Sequence, residues 1–582
     1  MLPLTRISLP CSALALALAL GCAANASASH FSPAPGASLP AALEDAATSR
    51  HQITLAGTAI PYTATAGHLT AVDPAGGGPE AAFFYVAYTA DGQEPGTRPL
   101  TFCYNGGPGS ASIWLHLGSF GPKRLVTGDP STTGQIPFPL VDNPECLLDT
   151  TDLVFVDAVG TGLSEAIAPN ANQTFWGVDA DAAVFRDFIR RYLAVNQRQG
   201  SPLYLFGESY GTPRSAVLAN LLANAGIDLA GVVLQSSILN YNTNAGAGPG
   251  ISAAGFLPTY GAIGACYRLD SPAPTDLPAF VQTLRQFTAG AYAPAVTAWL
   301  GAGTAPDPAL VAQLSNDTGI GASLWRQELN LLPVDFQADL VPGTLIGRYD
   351  ARVSAPVGSP LASQGDPSST FITQPFTAAI AGYLSGFLDY PDGSDYTVMS
   401  QADDDWNFSH DGLQLPDTIP DLAAAIAQVP GLKVLSLNGY HDLATPFYQT
   451  ELDLARLGRQ PNLQVRHYSG GHMVYLDDGS RPLEKADLVA FFQGAPGWAA
   501  SPEPAPADGA ATPWPGRQPL LPAATPPAAG QVLPWPSRPV LIDPYVPPGK
   551  WHPQPDSATT GPALRAQVEG KLKAAQPRKP SL

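Results

Sequence analysis

The sequence predicts an α/β protein: a mostly parallel sheet between helices, interrupted by a mostly helical insertion. Three observations predict it. Compact apolar runs such as residues 153–157 and 229–235 have the composition of strands buried on both faces. They alternate with stretches of helical period, of which 179–195 is the longest. At one strand-to-helix junction stands Gly207-Glu208-Ser209-Tyr210-Gly211. A G-x-S-x-G pattern in that context is the strained turn that lifts a serine above the end of a sheet. The helix leaves so close to the strand that positions two before and two after the serine have no room for a Cβ, and Gly207 and Gly211 fill them.

The elements follow in order. Residues 29–50 read as an exposed lead-in. From 52 to 89, short apolar runs broken by Ala-Gly, Asp-Pro and Gly-Gly-Gly read as β-hairpins, with 83–88 the clearest strand. The strand at 100–104 ends in Asn105-Gly106-Gly107-Pro108-Gly109, and that at 153–157 ends in the carboxylate of Asp157. The 179–195 helix, the 202–206 strand, a helix from near Thr212 and the 229–235 strand come next. The pattern resumes only at 433–437 and 463–468. Between about 245 and 425, Ala-rich helical segments such as 277–287 and 308–314 alternate with Pro and Gly loops, as in a cap over the sheet's C-terminal edge. From 499 to 582 the chain is rich in Pro and Ala and buries little, and a short basic helix at 563–574 is expected near its end.

Bulk properties bound the function. A chain of 582 residues with 45% hydrophobic content supports a large core, so 51–498 reads as one domain with its insertion. A formal charge of −19 argues against a nucleic-acid partner and against adsorption to an anionic membrane. Residues 1–28 carry Arg6, an apolar run at 13–20 and then small residues, an export signal too short for a transmembrane helix. Two processing readings stay open. Ala24-Asn25-Ala26 or Ala26-Ser27-Ala28 would release a soluble protein. Ala19-Leu20-Gly21-Cys22 resembles a lipoprotein box with Leu and Ala exchanged, and would leave Cys22 lipid-modified. The expected location is therefore periplasmic, secreted or lipid-anchored. Beyond the signal, Cys103, Cys146 and Cys266 allow at most one disulfide, and no spacing suggests a metal site or a cofactor.

A serine hydroxyl needs a base to take its proton and a carboxylate to orient that base; on this type of sheet they follow in the order Ser, Asp or Glu, His. That order prunes the nine histidines. His30, His51, His68 and His116 precede Ser209, and His552 lies in the tail. His467 falls within a strand, His410 in the cap, and His441 directly precedes a better acid. His472, in Gly470-Gly471-His472-Met473 past the last strand, remains. Asp442, on the loop after 433–437, is the matching carboxylate. The oxyanion needs backbone donors: one is the N–H of Tyr210, and the loop 105–109 suits the other.

Taken together these segments resemble the serine carboxypeptidase family, and the matching motifs are spread over most of 80–495. The loop Asn105–Gly109, Phe155-Val156-Asp157 with Gly160-Thr161-Gly162-Leu163-Ser164, the Gly207–Gly211 motif with its Glu, and Gly471-His472-Met473-Val474 carry the resemblance. It implies an α/β-hydrolase fold and a triad of Ser209, Asp442 and His472. Gly107 and Tyr210 would supply the oxyanion N–H groups. Asn105, Gly106 and Glu208 would receive the free C-terminal carboxylate of a peptide substrate. Because a carboxylate repels a substrate carboxylate unless a proton is shared, acidic pH would favour peptide hydrolysis. Three positions depart from the family: Ser110 where a Cys is usual, Ser119 where a second Glu often stands, and Tyr475 where a Pro is usual. With the export signal, they suggest a bacterial branch. An esterase or acyltransferase on the same scaffold, or a non-catalytic surface binding protein, are the alternatives; the oligomeric state is not legible.

Overall fold

The computed structural model describes residues 31–128, 138–244, 250–390 and 394–494. The export signal with Cys22, and the segment from 499 with its expected basic helix, lie outside the described residues. Ten strands form the main sheet: β1 (Ala46–Leu55), β2 (Thr58–Val72), β3 (Pro79–Ala90), β4 (Leu100–Tyr104), β5 (Asp152–Val156), β6 (Glu165–Ala166), β7 (Leu203–Glu208), β8 (Leu229–Gln235), β9 (Lys433–Gly439) and β10 (Leu463–Tyr468). Their spatial order is β1-β2-β3-β5-β4-β7-β8-β9-β10, with β6 pairing beside β3. β1, β2, β3 and β5 pair antiparallel in succession, and from β5 to β10 every neighbouring pair is parallel. This is the α/β-hydrolase architecture. The hairpin joining β1 to β2 turns on Ala56 and Gly57, both with positive φ, the turn whose twist matches that of the flanking strands.

The parallel strands are apolar on both faces because both faces are covered. In β7, Tyr204 and Phe206 enter one core, while Leu203 and Leu205 enter the other. The first core packs under α1 (Ile113–Gly118), α10 (Pro367–Gly386) and α13 (Arg481–Gln493). The second packs under α2 (Val178–Val195), α3 (Gly211–Asn224) and α11 (Ile419–Gln428). α2 faces it with Val184, Phe185, Phe188, Ile189 and Tyr192, a stripe of helical period.

Between β8 and β9 the chain forms α4 (Leu257–Cys266), α5 (Leu277–Phe287), α6 (Ala293–Ala302), α7 (Pro308–Thr318), α8 (Ala322–Gln327) and α9 (Pro333–Asp339) before α10 and α11. Among the described residues of this stretch, the first part, with the strands Thr344–Ile346 and Ser354–Pro356 that follow it, carries a separate core around Phe256, Tyr260, Tyr292, Trp325 and Phe336. α10 and α11 rejoin the layers that flank the sheet. The lead-in also differs from expectation. Phe31 and Leu39 are buried, Phe31 stacks on His68 at 4.4 Å, and Leu39 bridges to Ile167, so two apolar anchors dock this segment. α12 (Phe447–Ala455) follows β9, and no described helix is long and apolar enough to cross a membrane.

Candidate active site

The C-terminal ends of β4, β7, β8, β9 and β10 converge, and the predicted residues stand at these strand ends and on the loops that leave them, with His472 after β10. Ser209 follows β7 with φ of +59°, a left-handed conformation that non-glycine residues rarely adopt. Its neighbours supply the space. A Cβ at Gly207 would stand 2.1 Å from the Gly211 carbonyl and 2.4 Å from Ser215 Oγ, so only glycine fits. The Ser209 N–H donates to the Gln235 carbonyl at 3.0 Å, and its own carbonyl accepts from Thr212 N–H at 2.8 Å. The strained turn is thus held at both ends, and Ser209 is the partly exposed member of an otherwise buried group.

His472 Nδ1 lies 2.8 Å from Asp442 Oδ2, with both side chains almost wholly buried. Asp442 is fixed by its own turn: Oδ1 accepts from the N–H groups of Ala444 at 2.8 Å and Thr445 at 3.1 Å, and Oδ2 lies 2.7 Å from Thr445 Oγ1. The base is held through its main chain as well. His472 N–H donates to the Tyr349 carbonyl at 2.6 Å, and its carbonyl accepts from Ser236 Oγ at 2.5 Å. Residues 235 and 236 therefore touch both Ser209 and His472. The Tyr349 ring meets the imidazole edge-on at 5.1 Å. Burial opposes charge on His472, but the attraction and hydrogen bond of Asp442, with the field of Glu208, outweigh it and raise the imidazole above its ordinary range. His472 Nε2 is buried and has no hydrogen-bond partner among the described residues. The imidazole is therefore oriented by its acid, with the other nitrogen left unengaged.

The loop after β4 lies directly against this turn. A Cβ at Gly106 would come within 2.4 Å of Tyr210 N and 2.5 Å of Gly211 N, so the two backbones touch. Gly107 has φ of +102°. Asn105 Nδ2 donates to Glu208 Oε1 at 2.8 Å, and Asn105 Oδ1 accepts from Leu115 N–H at 2.9 Å. Asp157 braces the loop from behind: its Oδ1 accepts from Ser112 N–H at 2.8 Å and Tyr396 Oη at 3.0 Å. Glu208 is 1% exposed. Burial lifts its carboxyl to about 7, against the lowering effects of His472, Tyr475 and Asn105.

Several residues absent from the sequence reading complete the site. Arg214, wholly buried in α3, donates to the Asn105 carbonyl at 2.7 Å and pairs with Asp181 at 2.6 Å. Trp406 Nε1 donates to Tyr210 Oη at 3.1 Å, which ties the chain before α11 to the residue after Ser209. Ser119, already marked in the sequence as standing where a second Glu is often found, donates its Oγ–H to the Leu115 carbonyl at 2.5 Å. A small cleft beside the residue that follows His472 is lined by Tyr349, Val353, Phe371, Ile372, Met473 and Leu476, among others.

The other described histidines lie elsewhere. His441 Nδ1 is 2.6 Å from the Ser469 carbonyl, and burial drives its imidazole down to about 4. His467 pairs with Glu451 at 2.7 Å. His410, Asp411 and Asp421 bring ligand-type atoms within 4.8 Å of one another. Both His410 ring nitrogens are already engaged, Nδ1 with Asp179 at 2.6 Å and Nε2 with Asp421 at 2.8 Å, which describes an imidazolium clamp rather than a metal ligand.

Residues 57–247 match the family model described as serine carboxypeptidase. A pheromone-processing carboxypeptidase of Cryptococcus gattii is 32% identical over 132 residues, which cover 22% of this chain and 18% of that protein. The chain thus spans less than a fifth of that curated relative. Among solved structures, a proline iminopeptidase from Mycobacterium smegmatis superposes with a TM-score of 0.32 at 16% identity, covering 73% of this chain and 98% of that one. A thermostable carboxyl esterase from Bacillus coagulans gives 0.30 at 12% identity, covering 77% and 98%.

Proposed function

We propose that this chain, whose residues 57–247 match the serine carboxypeptidase family, is an exported serine-type carboxypeptidase that removes C-terminal residues through an acyl-enzyme. The observation that carries the chemistry is the His472–Asp442 bond, at the end of the same sheet as the strained Ser209 turn. Ser209 Oγ attacks the scissile carbonyl and gives its proton to His472 Nε2. Asp442 holds the imidazole by Nδ1 and stabilises the cation that forms. The N–H groups of Gly107 and Tyr210 receive the oxyanion. His472 then protonates the leaving amine, and water, deprotonated by the same nitrogen, releases the acyl group.

The buried Asn105–Glu208 bond supports a peptidase over a general esterase. Asn105, Gly106 and Glu208 receive the terminal carboxylate, and Glu208 does so when protonated. Its carboxyl titrates at about 7, so binding of a carboxylate weakens as pH rises through that value. His472 must be neutral to act, which limits the acid side of both reactions. The expected result is a peptide-hydrolysis optimum displaced to lower pH than the optimum for a simple ester.

Glu208→Ala tests the assignment. It should abolish most dipeptide hydrolysis while small-ester hydrolysis persists. Equal loss of both activities would refute the carboxylate role and favour the esterase or acyltransferase reading. Export belongs to the same proposal. The intact mass of the mature protein distinguishes a lipid on Cys22 from cleavage after Ala26 or Ala28, and retention of residues 1–28 would overturn it.

A further inference from the structure

Residues 396–410, in the later part of the excursion from β8 to β9, run as a strap between the loop after β4 and the loop after β5. Their backbone groups point alternately to one loop and the other, as along an extended strand. Thr397 faces the loop after β5: its carbonyl accepts from Gly162 N–H at 2.8 Å, and its N–H donates to the Gly162 carbonyl at 3.1 Å. Val398 and Ser400 face the loop after β4. The Val398 carbonyl accepts from Ala111 N–H at 2.9 Å, and Ser400 N–H donates to the Gly109 carbonyl at 2.9 Å. The strap then reaches Tyr210. Trp406 is buried, its ring meets the Tyr210 ring edge-on at 5.1 Å, and its Nε1–H donates to Tyr210 Oη at 3.1 Å.

Beyond Trp406 the strap is fastened to the helices. Asn407 N–H donates to the Trp176 carbonyl at 3.0 Å, and the Asn407 carbonyl accepts from Val178 N–H at 3.1 Å. A Cβ at Gly177 would stand 3.1 Å from Asn407 Cβ, so the strap lies close against the start of α2. His410 ends it. Asp411 and Gly412 both have positive φ, and His410 and Leu413 exchange backbone hydrogen bonds across them at 3.1 and 2.9 Å. This is the tight two-residue turn that an Asp-Gly pair favours. It presents the buried His410 ring to Asp179, in the first turn of α2, and to Asp421, in the first turn of α11, at 2.6 and 2.8 Å. The exposed Asp411 carboxylate lies 3.7 Å away.

We propose that Trp406 and His410 are positioning residues, and that the strap they fasten keeps the N–H groups of Gly107 and Tyr210 aimed at one point. This rests on the oxyanion assignment made above. The two donors belong to separate loops, one after β4 and one after β7, and an oxyanion is stabilised only while both converge on it. The strap bonds to both carriers: to Gly109 and Ala111 by its backbone, and to Tyr210 by the Trp406 indole. It is held in turn by α2 and α11 through His410. Neither residue touches the reacting atoms in this account; they act through Tyr210 and the glycine loop. The later part of the excursion thereby takes part in the chemistry.

The test uses the full chain, a small ester and a blocked dipeptide, with every rate expressed per Ser209 labelled by a fluorophosphonate so that misfolded protein does not count. Trp406→Phe keeps a ring and deletes the N–H. Its kcat should fall about tenfold on both substrates, short of the hundredfold cost of a full 1 Å misplacement. KM should stay within about twofold, because the donors matter most in the transition state. Tyr210→Phe removes the other end of the same bond and should show the same fall. The double variant should be no slower than either single one. His410→Gln should reproduce the loss in kcat with KM again unchanged. An unchanged kcat per labelled serine in Trp406→Phe, or losses that multiply in the double variant, would overturn the proposal. A His410→Gln protein with a lower Tm but wild-type kcat per labelled serine would overturn the part given to His410. If Trp406→Phe does not fold, the smaller change Tyr210→Phe decides the matter. A wild type active on the ester but on no peptide would sink the carboxypeptidase reading alone, and the ester kcat would still decide on the strap.

Discussion

Gly106→Ala separates backbone placement from side-chain chemistry at this site. The added methyl would lie 2.4 Å from Tyr210 N and 2.5 Å from Gly211 N, both main-chain atoms of the turn that carries Ser209. Contacts below 3.0 Å are essentially never tolerated, and ordinary contact begins at 3.4 Å, so loop and turn must separate by about 0.6 Å (3.0 − 2.4) to 1.0 Å (3.4 − 2.4). The loop has little freedom to yield, because Asn105 is tied to Glu208, to Leu115 N–H and, by its carbonyl, to Arg214. The displacement therefore falls on the N–H groups of Gly107 and Tyr210. A misplacement of about 1 Å costs roughly a hundredfold in rate, and outright loss of one oxyanion donor up to a thousandfold. The expected fall in kcat is thus about 10²–10³, or roughly 2.7–4 kcal/mol of transition-state stabilisation. The assay is kcat on a small ester, normalised by fluorophosphonate titration of Ser209, with the Tm measured in parallel. A variant within threefold of wild-type kcat at an unchanged Tm would refute the reasoning.

Two further outcomes follow from buried charges. Asp181→Ala strands the wholly buried Arg214 guanidinium, which then keeps only the Asn105 carbonyl and the faces of Tyr104, Phe185 and Tyr210. Urea unfolding should show a loss of about 3–5 kcal/mol, and Asp181→Leu combined with Arg214→Met should recover much of it; a single-variant loss below about 1 kcal/mol would contradict this. His410 is raised from 6.5 to about 9, first by its hydrogen bond to Asp421 and then, against burial, by Asp179. A raised histidine stabilises fully below its unfolded value, so this contribution is whole below pH 6.5 and lost as pH climbs through about 9. Tm should fall across that window in wild type and stay flatter in His410→Gln; parallel curves would count against the clamp.

Much of this site is legible in the sequence because its chemistry sits beside backbone constraints that leave local marks. The turn around Ser209 needs glycine on both sides, and the loops bearing Asp442 and His472 begin where apolar strands end. What is not legible depends on partners far apart in the chain. Arg214 meets a carbonyl 109 residues earlier, and nothing near Arg214 shows that its charge is neutralised inside the fold. Glu484 sits among Lys485 and Asp487 at a helix start, a composition typical of a solvated face, yet it is wholly buried. The lead-in looked exposed because Phe31 and Leu39 are isolated apolar residues, and only the strands they dock on give them a partner.

The short segment at the end of β8 has a wider consequence. Gln235 receives the N–H of Ser209, and the next residue, Ser236, grips the carbonyl of His472. Nucleophile and base are thus gauged from one peptide unit, and positional error arising elsewhere has few joints through which to accumulate between them. The long excursion from β8 to β9 begins immediately after that gauge. Its outer helices, α4 to α9, can be lengthened, repacked or exchanged, and with them the surface offered to substrates, whereas Tyr349 and Trp406 in its later part stay with the fixed site because they hold the His472 N–H and Tyr210. The fold separates the part that must stay fixed, which runs from Gln235 and Ser236 to the later anchors Tyr349 and Trp406, from the outer helices between them that are free to diversify.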